Sequence, residues 1–449
     1  MQSINSKFEN DYTINALSYR VKINYDYAIA IVSAVLLGLS AITQNQFYVI
    51  ALCAFIPVGI IKPIYIIPIY YVSSLSSQYF MAAEGIGLTR VFALAIFVGV
   101  FLRNFFGEEV LERTWIRYLI YIASTTIISF IFANHQYPQI LLTVGMNLMI
   151  VLTFANMRFT GNEIHRLFKS IFWGVAIITT TIFLNAILNP SIISDRVTLT
   201  DELNANTFAI MTSQLAAFLF GYALYTKNKL EKIVSIILVT LTVFLVLVSG
   251  SRTNFIALIM GILTTVFIFK NIKNEKLKGI LLIAILSIIV NFIFTKVVQQ
   301  FPALSYRFTL DSVISSGGTG RWERIVAELK YVIPQNLFFG VGPVSINETI
   351  ALEGLISFPG SSHNILISML TQIGLMGSVG YISLVYGILK KLIKNGESIR
   401  LSCIPICLIM TGIFTGIGEV VYHERFFWSA LALGILCISA NHINSEKEI

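Results

Sequence analysis

The stretch KIVSIILVTLTVFLVLVSGSR, residues 232–252, decides the class of fold. Between its first lysine and its last arginine it contains no charged side chain. A helix that crosses a lipid bilayer needs about 20 mostly apolar residues, and its backbone groups must bond to one another because no water reaches them. The stretch therefore predicts a transmembrane helix that ends at a Ser-Gly-Ser turn followed by Arg252.

Comparable apolar runs occupy most of the chain. Its 449 residues are 56% hydrophobic and 12% charged, whereas soluble proteins carry about 25% charged residues. We predict an all-α, polytopic integral membrane protein with about 12–14 transmembrane helices, built as a single membrane domain over residues 1–449. The predicted spans are 27–43, 46–61, 63–80, 89–103, 117–134, 139–155, 169–188, 207–225, 232–249, 253–270, 279–298, 363–389, 401–418 and 425–441. Pro57, Pro63 and Pro68 interrupt the second and third spans, which predicts a broken or re-entrant pair.

Basic residues indicate how the spans are oriented. With the N-terminus in the cytoplasm, only nine of the 31 lysines and arginines fall on the outer side, while the clusters around Lys229, Lys273 and Lys391 fall inside. The positive-inside rule therefore predicts that both termini face the cytoplasm. The net charge of +8 lies mostly in short loops beside the lipid. Membrane lipid, rather than nucleic acid, is the expected partner of that charge.

Two outer segments are the candidates for a site: a small loop at 189–206 and a large periplasmic loop at 298–362. In the large loop, the glycine-rich turn 317–320 leads directly into Arg321. The segment Trp322–Ile333 has apolar residues at helical spacing, which predicts a short amphipathic helix lying on the membrane. Loops of this length in compact proteins are usually functional or disordered, and the aromatic residues and prolines here favour an ordered, functional loop.

Arginine on the outer side needs a reason, because the positive-inside rule makes it scarce there. An anionic ligand such as a pyrophosphate is the simplest one, since guanidinium groups bind phosphate oxygens in pairs. The outer arginines that could contact such a ligand are Arg90, Arg196, Arg252, Arg307, Arg321 and Arg324. Arg252 and Arg321 follow turns that could accept an anion, although each could also be an interfacial arginine whose charge reaches water. Arg307 and Arg324 could equally support the site or be ordinary surface residues.

His363 begins a long apolar helix on the same outer side. A neutral imidazole can take a proton from a hydroxyl group near neutral pH. Alone, His363 could simply be a helix-end histidine bonded to a neighbour. Together with Arg252 and Arg321, it predicts a shared cavity with a general base and two anion-binding groups.

Metal ligands are not apparent in the sequence. The outer carboxylates are scattered and the other outer histidines, His135 and His423, are isolated, so we predict no metal and no cofactor. Glu419 and His423 are spaced i, i+4, which we interpret as a cap rather than a site. The four cysteines lie within apolar spans and are expected to be small buried residues.

The ordered set of motifs resembles the O-antigen ligase and O-antigen polymerase superfamily over about residues 190–390. The resemblance is carried by Ser251-Arg252-Thr253, Gly320-Arg321, Gly340-Val341-Gly342-Pro343, His363-Asn364 and Gly374-Leu375-Met376-Gly377. Arg196 followed by Asn206 is also similar. One departure is that Ile325 stands where the family often has tryptophan, while Trp322 directly follows Arg321. This departure leaves the local helix register open.

The resemblance implies a GT-C-like enzyme of the bacterial inner membrane that carries out metal-independent, inverting glycosyl transfer on the periplasmic side. Its implied partners are undecaprenyl-pyrophosphate-linked glycans, as donor and as acceptor, and a chain-length regulator. Arg252 and Arg321 would hold the pyrophosphate, and His363 would activate the acceptor hydroxyl. Further contacts to pyrophosphate or glycan are expected from Arg90, Arg196, Arg307, Arg324 and Trp322.

Three functions remain open at this point. A polymerase joins repeat units of O-antigen or a related surface polysaccharide, and a ligase transfers the finished glycan to lipid A–core. The Ile-, Asn- and Lys-rich composition is typical of the AT-rich gene clusters that usually encode polymerases, so it favours the first. A flippase for lipid-linked oligosaccharide is the alternative of another class. Transporters usually show repeated halves and charges at mid-membrane, and neither pattern is visible in the sequence.

Overall fold

The structure, a computed structural model, describes most of the chain. The described residues are 25–43, 47–76, 87–105, 113–131, 138–188, 191–193, 196–198, 204–269, 321–342, 363–394 and 400–446. The predicted span 279–298, the candidate Arg307 and the glycine-rich turn 317–320 lie outside them.

Helices account for nearly all of the described residues. They are α1 Tyr25–Thr43, α2 Phe47–Cys53, α3 Ile56–Ile61, α4 Ile67–Leu75, α5 Leu88–Phe105, α6 Arg113–Ile131, α7 Pro138–Ala155, α8 Gly161–Leu188, α9 Ala205–Tyr225, α10 Lys229–Val248, α11 Arg252–Ile268, α12 Arg321–Ala327, α13 Ile365–Lys394, α14 Cys403–Thr415 and α15 Arg425–Glu446. Among the described residues, five helical segments are long and apolar enough to cross a membrane: 114–131, 161–188, 205–225, 229–248 and 365–394. The prediction of an all-α polytopic membrane protein is confirmed.

The proline-interrupted region is broken as predicted. Helix α2 ends at Cys53, α3 carries Pro57 in its first turn, and a 3₁₀ turn at Pro63–Tyr65 separates α3 from α4, which begins around Pro68. Proline lacks the backbone N–H that a helix interior needs but fits its first turn. Each proline therefore starts a new short helix.

The bundle is organised around α9, which is buried along most of its length and packs against α10 and α14. Close approach of the helices depends on small residues. A Cβ at Gly221 of α9 would lie 2.7 Å from the Cα of Ile404, and one at Gly261 of α11 would lie 2.2 Å from Oγ1 of Thr411. These contacts fix α9 and α11 against α14, whose C-terminal end leads into the loop 416–424.

A small β-hairpin follows α8 within the predicted outer loop 189–206. Strand β1, Ser191–Ile193, pairs antiparallel with β2, Arg196–Thr198, and Ile193 lies opposite Arg196. This element was not predicted. It brings Arg196 back over the end of the helix bundle, next to the turn between α10 and α11.

Candidate active site

The predicted base, His363, lies in the turn just before α13. Its backbone is in the left-handed region (φ 48°), which non-glycine residues adopt uncommonly and which functional sites often retain. Asn364 fixes this turn: its Oδ1 accepts hydrogen bonds from the amides of Leu366 (3.1 Å) and Ile367 (3.2 Å). Its Nδ2 donates to the carbonyl of Ile417 (3.2 Å). His363 is thereby held against the loop 416–424.

Glu419, in that loop, lies between His363 and Arg321. Its Oε2 is 2.7 Å from Nδ1 of His363, and its Oε1 is 3.7 Å from Nη2 of Arg321. The carboxylate is nearly buried, with 10% of its side chain exposed, whereas the other two side chains are about 30% exposed. An ionised carboxylate only accepts hydrogen bonds. In the neutral imidazole it therefore favours the N–H at Nδ1, and Nε2 is then the nitrogen that can accept a proton.

Arg321 is the first residue of α12 and is anchored to the same loop. Its Nη1 donates to the carbonyl of Gly418 at 3.4 Å. The residues that follow are helical through the π-turn Glu328–Val332, which confirms the predicted helix. Arg324 and Glu328 face the bundle, whereas Trp322 is 66% exposed. The outward apolar face is suited to a membrane interface.

Arg252, the other predicted pyrophosphate ligand, begins α11 and lies beside the same loop. The next residue, Thr253, packs directly against Gly418. A Cβ placed on Gly418 would lie only 2.2 Å from Cγ2 of Thr253. Nη1 of Arg252 is buried and has no hydrogen-bond partner among the described residues. A buried donor without a partner costs about 1–3 kcal/mol, so an anionic ligand at this position would relieve a real deficit.

Arg196 supports the turn that carries Arg252. Its Nε donates to the carbonyl of Ser249 and its Nη2 to Oδ1 of Asn206, both at 2.6 Å. The same turn is also held by Asn254, whose Nδ2 donates a hydrogen bond to Oγ of Ser251 at 3.0 Å. These contacts give Arg196 a structural task, and its predicted contact with substrate stays a prediction.

Arg324 has a buried partner. Its Nε lies 2.8 Å from Oε1 of Glu328, and Oγ1 of Thr371 donates to Oε2 of that glutamate at 2.8 Å. Only 5% of the Arg324 side chain and 1% of the Glu328 side chain are exposed. The pair therefore ties the loop helix to α13. This arrangement supports the structural alternative for Arg324 rather than a direct contact with substrate.

The glycine motif 340–343 of the large loop packs against α13 beside the glycine motif 374–377. The amides of Val341 and Gly342 donate to the carbonyls of Thr371 (2.8 Å) and Gln372 (3.0 Å). The helix α13 is kinked at Gly374, which has φ 64°. A Cβ there would lie 2.3 Å from the carbonyl oxygen of Phe338. Glycine is needed at this position both for its backbone angle and for the close contact.

Arg90 lies in a separate pocket near the other end of the loop 416–424. It shares that pocket with Arg425, Thr143, Asn147 and Tyr70, and its Nη2 donates to Oγ1 of Thr143 at 3.3 Å. Nε of Arg90 and Nη1 of Arg425 are buried without a hydrogen-bond partner among the described residues. Two guanidinium groups with unsatisfied donors thus lie around a cavity of only about 10 Å³, which has room for little more than one water molecule.

Sequence reasoning missed Glu419 and Arg425. Glu419 was interpreted as a cap with His423, but its carboxylate bonds to His363. Its spacing to His423 pointed to the wrong histidine, because the observed contact joins two loops. Arg425 is the first residue of α15, and the sequence alone does not show that it lies beside Arg90.

Within the described residues, no group of three or more histidine, cysteine or acidic side chains could hold a metal ion. The cluster around His363 offers the His363 imidazole, the Glu419 carboxylate and the guanidinium group of Arg321. That set can move a proton and stabilise negative charge.

The fold and this arrangement define a polytopic membrane protein with an arginine-rich, histidine-containing site at one end of its bundle. A family model described as O-antigen ligase matches residues 236–382, a segment that contains Arg252, Arg321 and His363. This match confirms the resemblance of the chain to the O-antigen polymerase and ligase superfamily. Comparison with curated proteins finds no match. Glu419 and Arg425 lie beyond the matched segment.

Proposed function

We propose that the protein polymerises undecaprenyl-pyrophosphate-linked oligosaccharide repeat units into O-antigen or a related surface polysaccharide. The observation that carries the proposal is the Arg321–Glu419–His363 cluster, set beside the start of the Arg252 helix. The family match supports glycan transfer in general. The steps of the reaction follow from what these groups can do.

His363 acts as the general base. Its Nε2 removes the proton from an acceptor hydroxyl while that oxygen forms a bond to the anomeric carbon of the donor. The bond from that carbon to the pyrophosphate oxygen breaks, and polyprenyl pyrophosphate leaves with the electron pair. A single displacement inverts the anomeric configuration and requires no metal ion. Glu419, bonded to Nδ1, stabilises the imidazolium that forms.

Arg252 and Arg321 stabilise the leaving group. Negative charge grows on the pyrophosphate as the glycosidic bond breaks, and guanidinium groups fixed in advance lower the energy of that state. The unpartnered Nη1 of Arg252 is the strongest single indication of such a ligand. Arg321 is partly neutralised by Glu419, so Arg252 carries more of the donor's binding.

The composition favours a polymerase over a ligase, because an Ile-, Asn- and Lys-rich sequence is typical of the AT-rich gene clusters that usually encode polymerases. A polymerase handles two lipid-linked pyrophosphates at once, one on the donor and one on the acceptor. Arg90 and Arg425 form a cationic pocket separate from the His363 cluster, joined to it through the loop 416–424, where Asn147 donates to the carbonyl of His423 at 2.8 Å. The cavity between them is only about 10 Å³, room for little more than one water molecule, so the contact of Arg90 with pyrophosphate or glycan stays a prediction.

One reconstitution separates the candidate functions. The purified protein in nanodiscs receives only lipid-linked repeat units, and products are resolved by length. A ladder of longer glycans with release of polyprenyl pyrophosphate supports a polymerase. Transfer only after lipid A–core is added identifies a ligase instead. Movement of intact substrate across proteoliposomes without any new glycosidic bond would identify a flippase.

The site end of the bundle is proposed to face the periplasm, as the distribution of basic residues predicts. A membrane-impermeant thiol reagent applied to spheroplasts should label Trp322→Cys, because that side chain is 66% exposed. The same reagent should leave Lys229→Cys unlabelled until the cells are lysed. Both variants are made in a Cys53→Ser background, since the other cysteines are buried. The reverse labelling pattern would refute the orientation.

A further inference from the structure

A second cationic pocket lies on the described part of the chain, away from the His363 cluster. It is bounded by the C-terminal end of α3, the 3₁₀ turn that follows, the last turn of α5 and the segment leading into α8. Its cavity measures about 290 Å³. Four basic side chains line it, together with one carboxylate, Glu163: they are Lys62, Arg103, Arg158 and Arg166.

The carboxylate does not neutralise this charge. Oε2 of Glu163 accepts hydrogen bonds from the amide and from Oγ1 of Thr160, both at 2.8 Å, and Thr160 in turn caps the Glu163 amide. This reciprocal capping box holds the carboxylate at the start of α8. Within the described residues, none of the four basic side chains forms an ion pair with a carboxylate. The pocket therefore has an excess of positive charge.

The size and walls of the pocket suit a small anionic group attached to an apolar one. Ligand pockets span about 300–1,000 Å³, so 290 Å³ accommodates a headgroup rather than a large glycan. The buried side chains of Pro63, Val100, Met157 and Phe159 also line the cavity. Guanidinium groups recognise phosphate oxygens with paired hydrogen bonds.

The pocket lies at the opposite end of the bundle from the candidate active site. Helix α5 connects the two ends. Its first turn carries Arg90, near the loop 416–424, and its last turn carries Arg103, which lines the cationic pocket. Thirteen residues of helix rise about 20 Å. On the orientation predicted by the basic loops, this end meets the inner leaflet, where basic pockets between transmembrane helices bind anionic headgroups.

We propose that this pocket binds the phosphodiester headgroup of an anionic phospholipid of the inner leaflet. The site is independent of the glycan chemistry, because none of its residues belongs to the His363 cluster. The lipid would hold α3, α5 and α8 together at a point where prolines interrupt the regular helices. Free phosphate has the same chemistry, so the test separates the two.

The test uses the full-length protein purified in detergent and compares two charge-matched double variants. Arg158→Gln/Arg166→Gln removes two charges that line the pocket, and Lys227→Gln/Lys229→Gln removes two charges outside the pocket at the same end; all four positions are exposed. The second pair is near α8, because His165 contacts the hydroxyl of Tyr225 at 2.7 Å. Bound dioleoyl phosphatidylglycerol is counted by native mass spectrometry, with phosphatidylcholine as the neutral reference.

We expect wild type and the lysine variant to retain phosphatidylglycerol equally, and the arginine variant to bind it about tenfold more weakly. An Arg158→Lys/Arg166→Lys variant keeps the charge but not the paired donors, so it should bind more tightly than the glutamine variant and more weakly than wild type, which guards against a folding defect. Equal loss in both glutamine variants would overturn the proposal, since it would indicate attraction to any basic surface. Full competition by soluble glycerol phosphate would also overturn it, because the acyl chains would then contribute nothing.

Discussion

Nδ1 of His363 lies 2.7 Å from Oε2 of Glu419, although the two residues are 56 positions apart in the chain. The contact joins the turn before α13 to the loop 416–424, and the opposite oxygen of the same carboxylate faces Arg321 at 3.7 Å. One buried carboxylate thus sets the orientation of the candidate base and lies next to a candidate anion ligand.

Glu419→Gln should lower the transfer rate by about 10- to 100-fold, less than the loss of the imidazole itself. Glutamine keeps the shape of the side chain but cannot stabilise an imidazolium with a negative charge. Glu323→Gln is the matched control, because it makes the same change at an exposed position of the neighbouring helix α12. Turnover per folded protein is the quantity to measure. Equal rates for Glu419→Gln and the control would exclude a role for the carboxylate.

Arg252→Lys and Arg321→Lys should each lose nearly as much activity as the corresponding alanine variants. Lysine retains the charge but lacks the planar pair of donors. Removing one charge-assisted contact in a dry site costs roughly 1.5–3 kcal/mol, or about 10- to 150-fold. Arg252 should show the larger effect, since Arg321 already faces Glu419. Arg117→Lys, an exposed position, serves as the control. Wild-type rates in both lysine variants would argue against bidentate binding.

Gly374→Ala should destabilise the fold strongly, whereas Gly145→Ala should not. At Gly374 the backbone has φ 64° and a Cβ would lie 2.3 Å from the carbonyl oxygen of Phe338. Gly145 is inside a helix and a Cβ there would meet no atom within 4 Å, so alanine should stabilise that helix by about 0.5–1 kcal/mol. Thermal unfolding in detergent gives the comparison. A Gly374→Ala variant as stable as wild type would mean that the kink is not required.

The sequence predicts the helical spans well, because apolar length and proline position are local properties. Pro57, Pro63 and Pro68 were enough to locate the breaks between α2, α3 and α4. The hairpin before α9 was missed because its strands have only three residues each, too few for a clear alternating pattern. The spans also give no information about which helices are neighbours, which depends on side-chain packing throughout the bundle.

The candidate site was predicted in part. His363, Arg252 and Arg321 were selected from their expected side of the membrane and their motifs, and the structure brings all three to the loop 416–424. Glu419 could not be found in this way, because its partners lie on other segments. The spacing of Arg324 and Glu328 was visible, but their burial depends on how α12 packs against α13.

The central claim is that His363 is the base for the acceptor hydroxyl, and His363→Ala tests it most directly. The measurement is the rate of glycan extension per folded protein in nanodiscs that contain lipid-linked repeat units, together with equilibrium binding of the donor. We predict that the rate falls by about 10²–10⁴-fold, while donor binding is retained because Arg252 and Arg321 remain. A variant that is less abundant but extends glycan at the wild-type rate per folded molecule would contradict the account.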